Sequence, residues 1–208
     1  MKVVSVNIGA ESSLNHEGES LQTGIFKTPI EGPLFLTKTG FRGDVQVDRK
    51  NHGGPDKAVC VYCADHFPVW EEQTGSVFDP GIFGENLTVS GLTENTVGIG
   101  DVFLVGEALV QVSQPRQPCH KLSKKLGDLS FANRLIESGF TGFYFRILEA
   151  GFVGAGDEIA VVSECELSCS VKYANDVMYH RRDGSVGLDR LLSQDFLSKA
   201  WKHTLLAR

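Results

Sequence analysis

At 208 residues the chain is long enough for one good-sized core, or for one domain with a small appendage. Hydrophobic content of 41% and charged content of 22% are ordinary for a soluble globular protein, and no run of eighteen apolar residues offers a membrane span. The formal charge of −6 argues against bulk nucleic-acid binding, which relies on counterion release by clustered Lys and Arg. That charge is uneven: residues 170–208 hold seven Lys or Arg against four Asp, a balance of +3, which leaves −9 on residues 1–169. Five cysteines, an odd number, with no signal peptide ahead of them, indicate a reducing cytoplasm rather than a disulfide scaffold.

Taken in chain order, short apolar stretches alternate with turn residues, and many of the 23 glycines fall between them. This spacing predicts strands near Lys2–Ile8, Leu34–Thr37, Ala58–Cys63, Leu87–Val89, Asp101–Val105, Ala108–Val112, Tyr144–Glu149 and Glu158–Val162. Such a pattern indicates a mainly β fold, a barrel with a few helices. Helices fit best at Asp65–Gln73 and Phe131–Ser138, and Leu122–Leu126 can open another.

The first chemical window is Arg42-Gly43-Asp44, where Arg42 either reaches an anion or is solvated. The second is Asn51-His52-Gly53-Gly54-Pro55-Asp56-Lys57-Ala58. Its Gly53-Gly54 step allows backbone amides to approach an anion, and His52 and Lys57 can add charge-assisted hydrogen bonds. Taken alone, a tight turn before the next strand is the simpler reading. Cys60 and Cys63 form a C-x-x-C, but on a strand a separation of three puts them on opposite faces, so both read as core. Phe83-Gly84-Glu85-Asn86-Leu87 is a turn with a carboxylate and an amide, in which Asn86 either meets a ligand or caps the loop.

The most informative stretch is Val112-Ser113-Gln114-Pro115-Arg116-Gln117-Pro118-Cys119-His120-Lys121. Alternation through Val112 reads as a strand, and the two prolines are expected to stop sheet pairing. Cys119 then lies at a strand-to-helix junction beside Arg116, His120, Lys121, Lys124 and Lys125. Cationic neighbours favour thiolate, the form that attacks or binds a metal. Cys165 and Cys169, by contrast, sit among Ser and Glu with no partner motif.

The tail changes period. Val171, Ala174, Val177 and Met178 share a helical face, Gly187–Leu192 continues in the same way, and Ser198 reads as the N-cap of a helix carrying Trp201 and Leu205. Three short helices bury little alone and are expected to pack on the body or on a partner.

Together these windows resemble the MOSC domain, the module named after the C-terminal part of molybdenum cofactor sulfurases, in its YiiM-like branch. The likeness rests on His52–Ala58, Phe83–Leu87, Gly106–Arg116 and Cys119–Leu122, with the tail similar to the three-helix appendage that follows many such domains. It implies a MOSC-type β-barrel over residues 1–163 and a three-helix appendage over 164–208. It further implies that Cys119 ligates molybdenum held by molybdopterin, a soft thiolate in a sulfur-rich sphere. The cofactor-binding residues would come from Arg42, His52, Gly53, Gly54, Asp56, Lys57, Glu85, Asn86, Arg116 and Lys121. Related enzymes reduce N-hydroxylated compounds, including purine bases, to amines. With no flavin or dinucleotide fingerprint in the chain, electrons would come from a flavoprotein or other reductase. Apart from the family, His120 or His52 is a candidate proton donor, because imidazole titrates near neutrality. The alternative function is a carrier of molybdenum cofactor or persulfide sulfur on Cys119, without turnover.

Overall fold

The computed structural model describes residues 1–16, 18–48, 53–165 and 169–207. The chain begins with β1 (Lys2–Ile8), β2 (Ser12–His16), β3 (Glu19–Thr23), β4 (Thr28–Pro29), β5 (Leu34–Thr37) and β6 (Gly40–Phe41). A 3-10 turn at Pro55–Lys57 leads into β7 (Val59–Cys63), and a second at Ala64–His66 into α1 (Phe67–Thr74). Then come β8 (Leu87–Ser90), β9 (Val102–Val105), β10 (Ala108–Pro115), α2 (His120–Leu126), α3 (Phe131–Ser138), β11 (Phe143–Glu149), β12 (Gly151–Val153) and β13 (Ile159–Ser163). The tail holds α4 (Val171–His180), α5 (Gly184–Leu192) and α6 (Lys199–Leu206).

The fold is mainly β with helices. Its main sheet runs β13-β9-β10-β11-β7-β8-β1-β4, and a smaller one β12-β5-β6. Only β7 and β8 pair in parallel within the main row, and α1 lies in the crossover that a parallel pair requires. The two ends of the row approach each other. Val3 N donates to Asp157 O at 2.9 Å, Gly156 N to Val3 O at 2.8 Å and Ile159 N to Met1 O at 3.0 Å. With the isolated Lys2–Glu158 bridge these bonds join the ends, but short of the continuous ladder that would close a barrel.

The eight expected strands and the helices at Phe131–Ser138 and in the tail form close to their expected bounds. Two differences bear on the site. The β2–β3 hairpin was not expected, because it is polar apart from the Leu14–Leu21 cross-strand pair. And proline does not stop β10, whose pairing with β11 runs on to Pro115 opposite Phe143. Beyond Gln111 the ladder with β9 has ended, so β10 has one strand neighbour and a proline there costs no sheet bond on its other side.

The main core lies under the sheet and includes Val59, Cys63, Leu87, Val110, Phe143 and Phe145. An aromatic cluster of Tyr62, Phe67, Trp70, Phe78, Phe83 and Phe131 packs with α1, α2 and α3, and Trp70 Nε1 donates to Tyr62 Oη at 2.6 Å. The tail helices make a third cluster around Trp201, Leu191 and Ala174, and Ile99 from the body is part of it. They therefore pack on the body. Asn175 Nδ2 donates to Thr141 Oγ1 at 2.8 Å and Ser198 N to Ser113 O at 3.0 Å.

Candidate active site

Strand β10 carries the chain to the mouth of a cleft. Arg116 N still donates to Gly142 O at 3.0 Å, so the strand register holds up to that residue. Gln117 and Pro118 then leave the sheet, and Cys119 is extended (φ −115°, ψ 156°) at the N-cap position of α2. Cys119 is half-buried and lines the cleft together with Arg116, Lys57, Asn86, Lys121 and Tyr144. The enclosed space between the walls is about 90 Å³.

Arg116 is buried at 5% exposure. Its Nη2 donates to Phe83 O at 2.6 Å, while Nη1 is buried with no acceptor among the described residues. A guanidinium stays charged, and a buried donor without an acceptor is costly, so Nη1 calls for an acceptor from outside the fold. Gly84, at φ +75°, allows the turn behind Arg116 to close, since a Cβ there would lie 2.7 Å from Ile25 Cγ1 on the facing wall.

The opposite wall is a polar lattice bonded within itself except at Glu85 Oε2, which is buried with no partner among the described residues. Lys27 pairs with Asp44, whose Oδ1 also accepts from Gly9 N at 2.9 Å. Asn86 Nδ2 donates to Asp44 Oδ2 at 2.9 Å, and Asn86 Oδ1 accepts from Cys60 N at 3.2 Å. Asn86 thus spends its amide on joining the wall to β7, although it borders the cleft. Glu85 is fully buried behind it, with Oε1 accepting from Gly81 N and Thr88 Oγ1, each at 2.7 Å. Burial raises the Glu85 carboxyl above its ordinary value, against hydrogen bonds from Thr88 and Gly81 and the charge of Arg116.

Lys57 enters the cleft from the Pro55–Lys57 turn, and burial lowers its pKa, opposed by Asp48 and Asp56. Asp56 itself faces away, bound by Arg146, whose Nε donates to its Oδ1 at 2.9 Å. Gly53 and Gly54 are half-buried outside the cleft lining, where Gly54 (φ +92°) closes the turn into Pro55. Arg42 also lies outside the lining, its guanidinium 4.6 Å over the Phe35 ring. Lys121 lines the cleft and donates to Gln22 O at 3.2 Å, so it shares its charge with the β2–β3 hairpin. His120 is exposed on α2 away from the lining, and His52 lies outside the described residues.

Several cleft residues were not marked by the sequence, among them Lys27, Asp44, Cys60 and Tyr144. Lys27 and Tyr144 carry no local motif. Asp44 belongs to the Arg42-Gly43-Asp44 window, in which the arginine is the more obvious anion-binding group. Cys60 reads as core and is buried at 6% exposure, yet it borders the cleft, while Cys63 belongs to the main core. Burial raises the Cys60 thiol pKa, partly offset by Arg116, and raises the Tyr144 phenol as well, reinforced by Cys60. Both are protonated donors at neutral pH. Among the described residues no three His, Cys, Asp or Glu side chains cluster to hold a metal ion. A metal here would take Cys119 as its protein ligand and complete its sphere from a bound organic group.

A mainly β fold thus sets one half-buried cysteine, on a strand-to-helix junction, beside a buried arginine in one cleft. The chain belongs to the MOSC domain family, whose family model matches residues 48–160. A second model, the YiiM-like 3-alpha helix domain, matches residues 169–208. YflK of Bacillus subtilis (strain 168) is 46% identical over 206 residues, spanning 99% of this chain and 93% of that one. The crystal structure of YiiM from Geobacillus stearothermophilus superposes with a TM-score of 0.84 at 37% identity, covering 99% of this chain and 97% of that chain. A protein of Gibberella moniliformis (strain M3125 / FGSC 7600) named "Reductase" is 34% identical over 149 residues, which are 70% of this chain and 26% of that longer one.

Proposed function

We propose that this chain is a molybdenum-cofactor-dependent reductase of N-hydroxylated compounds, such as N-hydroxylated purine bases, with electrons supplied by a separate flavoprotein or similar reductase. The observation that carries the reading is the pairing of Cys119 with the unsatisfied buried Nη1 of Arg116 in one cleft. A soft thiolate and an orphan cation suit a molybdenum ion held by molybdopterin and an anionic group on the same ligand. When bound, the cofactor would supply two-electron chemistry. The chain's own groups bind and orient. Cys119 would ligate the metal, Arg116 and Lys57 would face negative charge, and Lys121 would lie at the lining while bonded to the hairpin at Gln22 O. The overall reaction consumes two electrons and two protons, R–NHOH becoming R–NH₂ and water. Tyr144 and Cys60, both protonated, line the cleft and can donate hydrogen bonds there, whereas His120 is exposed on α2. The fungal relative's name fits a reductase.

A MOSC body over 1–163 and the appendage over 164–208 belong to the same reading, as does a cytoplasmic place of work. Among the described residues no helix is long and apolar enough to cross a membrane. The test is expression in a cofactor-competent host, with molybdenum content and hydroxylaminopurine reduction measured on wild type and Cys119→Ser. Stoichiometric molybdenum and turnover, both lost in the variant, are expected. Metal without reduction by a competent donor would point to a carrier of cofactor or sulfur instead, and no molybdenum at all would end the proposal.

A further inference from the structure

Helix α2 is fastened to the cleft by three lysines, and one of them is set apart by what it grips. Lys121 and Lys124 reach the hairpin, at Gln22 O (3.2 Å) and Glu19 Oε2 (3.2 Å). Lys125 reaches further in. Its Nζ donates to Ile25 O at 3.2 Å, Gly81 O at 3.0 Å and Ile82 O at 2.7 Å. Ile25 is on one cleft wall, and Gly81 and Ile82 belong to the turn that ends at Gly84 on the other. That turn also supplies Phe83 O, the acceptor on which Arg116 Nη2 rests.

We infer that Lys125 is a positioning residue for Arg116: by gripping the carbonyls on either side of the turn's approach, its ammonium fixes the Phe83 carbonyl and with it the guanidinium in the cleft wall. An ammonium has three hydrogens and meets three carbonyls, while a neutral amine has two and must release one of them; Ile25 O also accepts from Lys27 N and Gly81 O from Gly84 N, so Ile82 O depends most on Lys125. Loss of the proton therefore both removes a charge and loosens the turn. The groups facing Lys125 are Glu85 ahead of β8, Arg116 at the end of β10, and Lys27, which is itself paired with Asp44. Burial, with Arg116 and Lys27, lowers its pKa to about 8 against the pull of Glu85, which puts the change in a measurable range.

This inference rests on the reading of Arg116 as an anion ligand, and its test separates the two. In wild type, the carbonyl-carbon NMR signals of Ile25, Gly81 and Ile82 should titrate together near pH 8, and those of Phe83 and the Arg116 guanidinium should follow with the same midpoint. Sulfate, dianionic throughout, should bind on the order of tenfold more weakly above that midpoint, the scale of one nearby charge. Lys125→Met should show the weak binding at all pH values, and Lys125→Arg should bind tightly with no step near pH 8. If Phe83 and Arg116 fail to follow the three carbonyls, or if Lys125→Arg keeps the step, the positioning role is overturned. If the signals move as expected and sulfate does not bind even at pH 6.5, Lys125 still positions Arg116 and it is the anion-site reading that fails.

Discussion

Ser198 Oγ donates to Gln114 Oε1 at 2.6 Å, so the cap of the last tail helix is fastened to the strand that runs into Arg116 and Cys119. The same oxygen accepts from Trp201 N at 3.1 Å and closes the first turn of α6. One hydroxyl thus serves helix and sheet at once, in a site only 1% exposed.

Ser198→Ala removes a helix cap and also leaves the buried Gln114 oxygen without its donor. The cap is worth about 1 kcal/mol and the stranded acceptor about 1 to 3 more. Ser170 caps α4 in the same way, accepting from Tyr173 N at 3.0 Å, and among the described residues its hydroxyl has no partner in the sheet. Urea unfolding should therefore show Ser198→Ala costing at least about 1 kcal/mol more than Ser170→Ala. Equal losses would mean that the bond to Gln114 holds nothing.

The architecture was legible where period and turn chemistry agree. Phe131–Ser138 forms as the apolar spacing predicts, and Ser198 caps the helix it was expected to cap. The cysteine at the junction after β10 was legible from prolines and charge alone. What could not be read is pairing across the chain. Nothing near Asn86 reveals that its amide is spent on Asp44, 42 residues away, and on the backbone of Cys60. Nothing near Asp56 reveals Arg146. A polar side chain in a motif looks available until its long-range partner is seen. Lys125 is the converse case, one of a cluster of lysines in the sequence and distinguished only by three carbonyls brought to it by the fold.

Arg116→Lys should weaken anion binding more than it weakens the fold. Lysine keeps the charge but not the fork that holds Phe83 O with one nitrogen while presenting another. Sulfate affinity should fall roughly tenfold, on the scale of one charge-assisted hydrogen bond, while the urea midpoint shifts little. A sulfate affinity matching wild type would show that Nη1 is not the anion contact.

Cys60 and Cys63 should part company. Cys63→Ala opens space in the main core and should cost on the order of 1 kcal/mol, with molybdenum content per folded molecule unchanged. Cys60→Ala changes the cleft itself, next to Tyr144 and Arg116, and should slow reduction or lower molybdenum retention at similar stability. Metal analysis and unfolding on the two variants check this. The same effect on metal from both would place them in one environment, against the separation of cleft and core seen here.

The alkaline limb of stability offers a further check on Cys63. Its thiol, 1% exposed, has its pKa raised from 9.0 to about 11, chiefly by burial, with backbone hydrogen bonds from Asp65 and Leu92 pulling the other way and the Asp65 and Glu94 charges adding to the rise. Between those values the unfolded chain has released the proton and the folded chain has kept it. The folded state then binds more protons, so stability falls as pH rises through the window. The contribution is fully present below pH 9 and is lost by about pH 11. Its size should be about 1 to 2 kcal/mol, after discounting for solvent screening. Cys60 and the buried tyrosines titrate at high pH too, so the measurement is a difference: wild type should lose more stability between pH 8 and 11 than Cys63→Ala by that amount. Parallel losses would mean that the Cys63 thiol titrates in the fold as it does in water, and that this end of β7 is open to solvent.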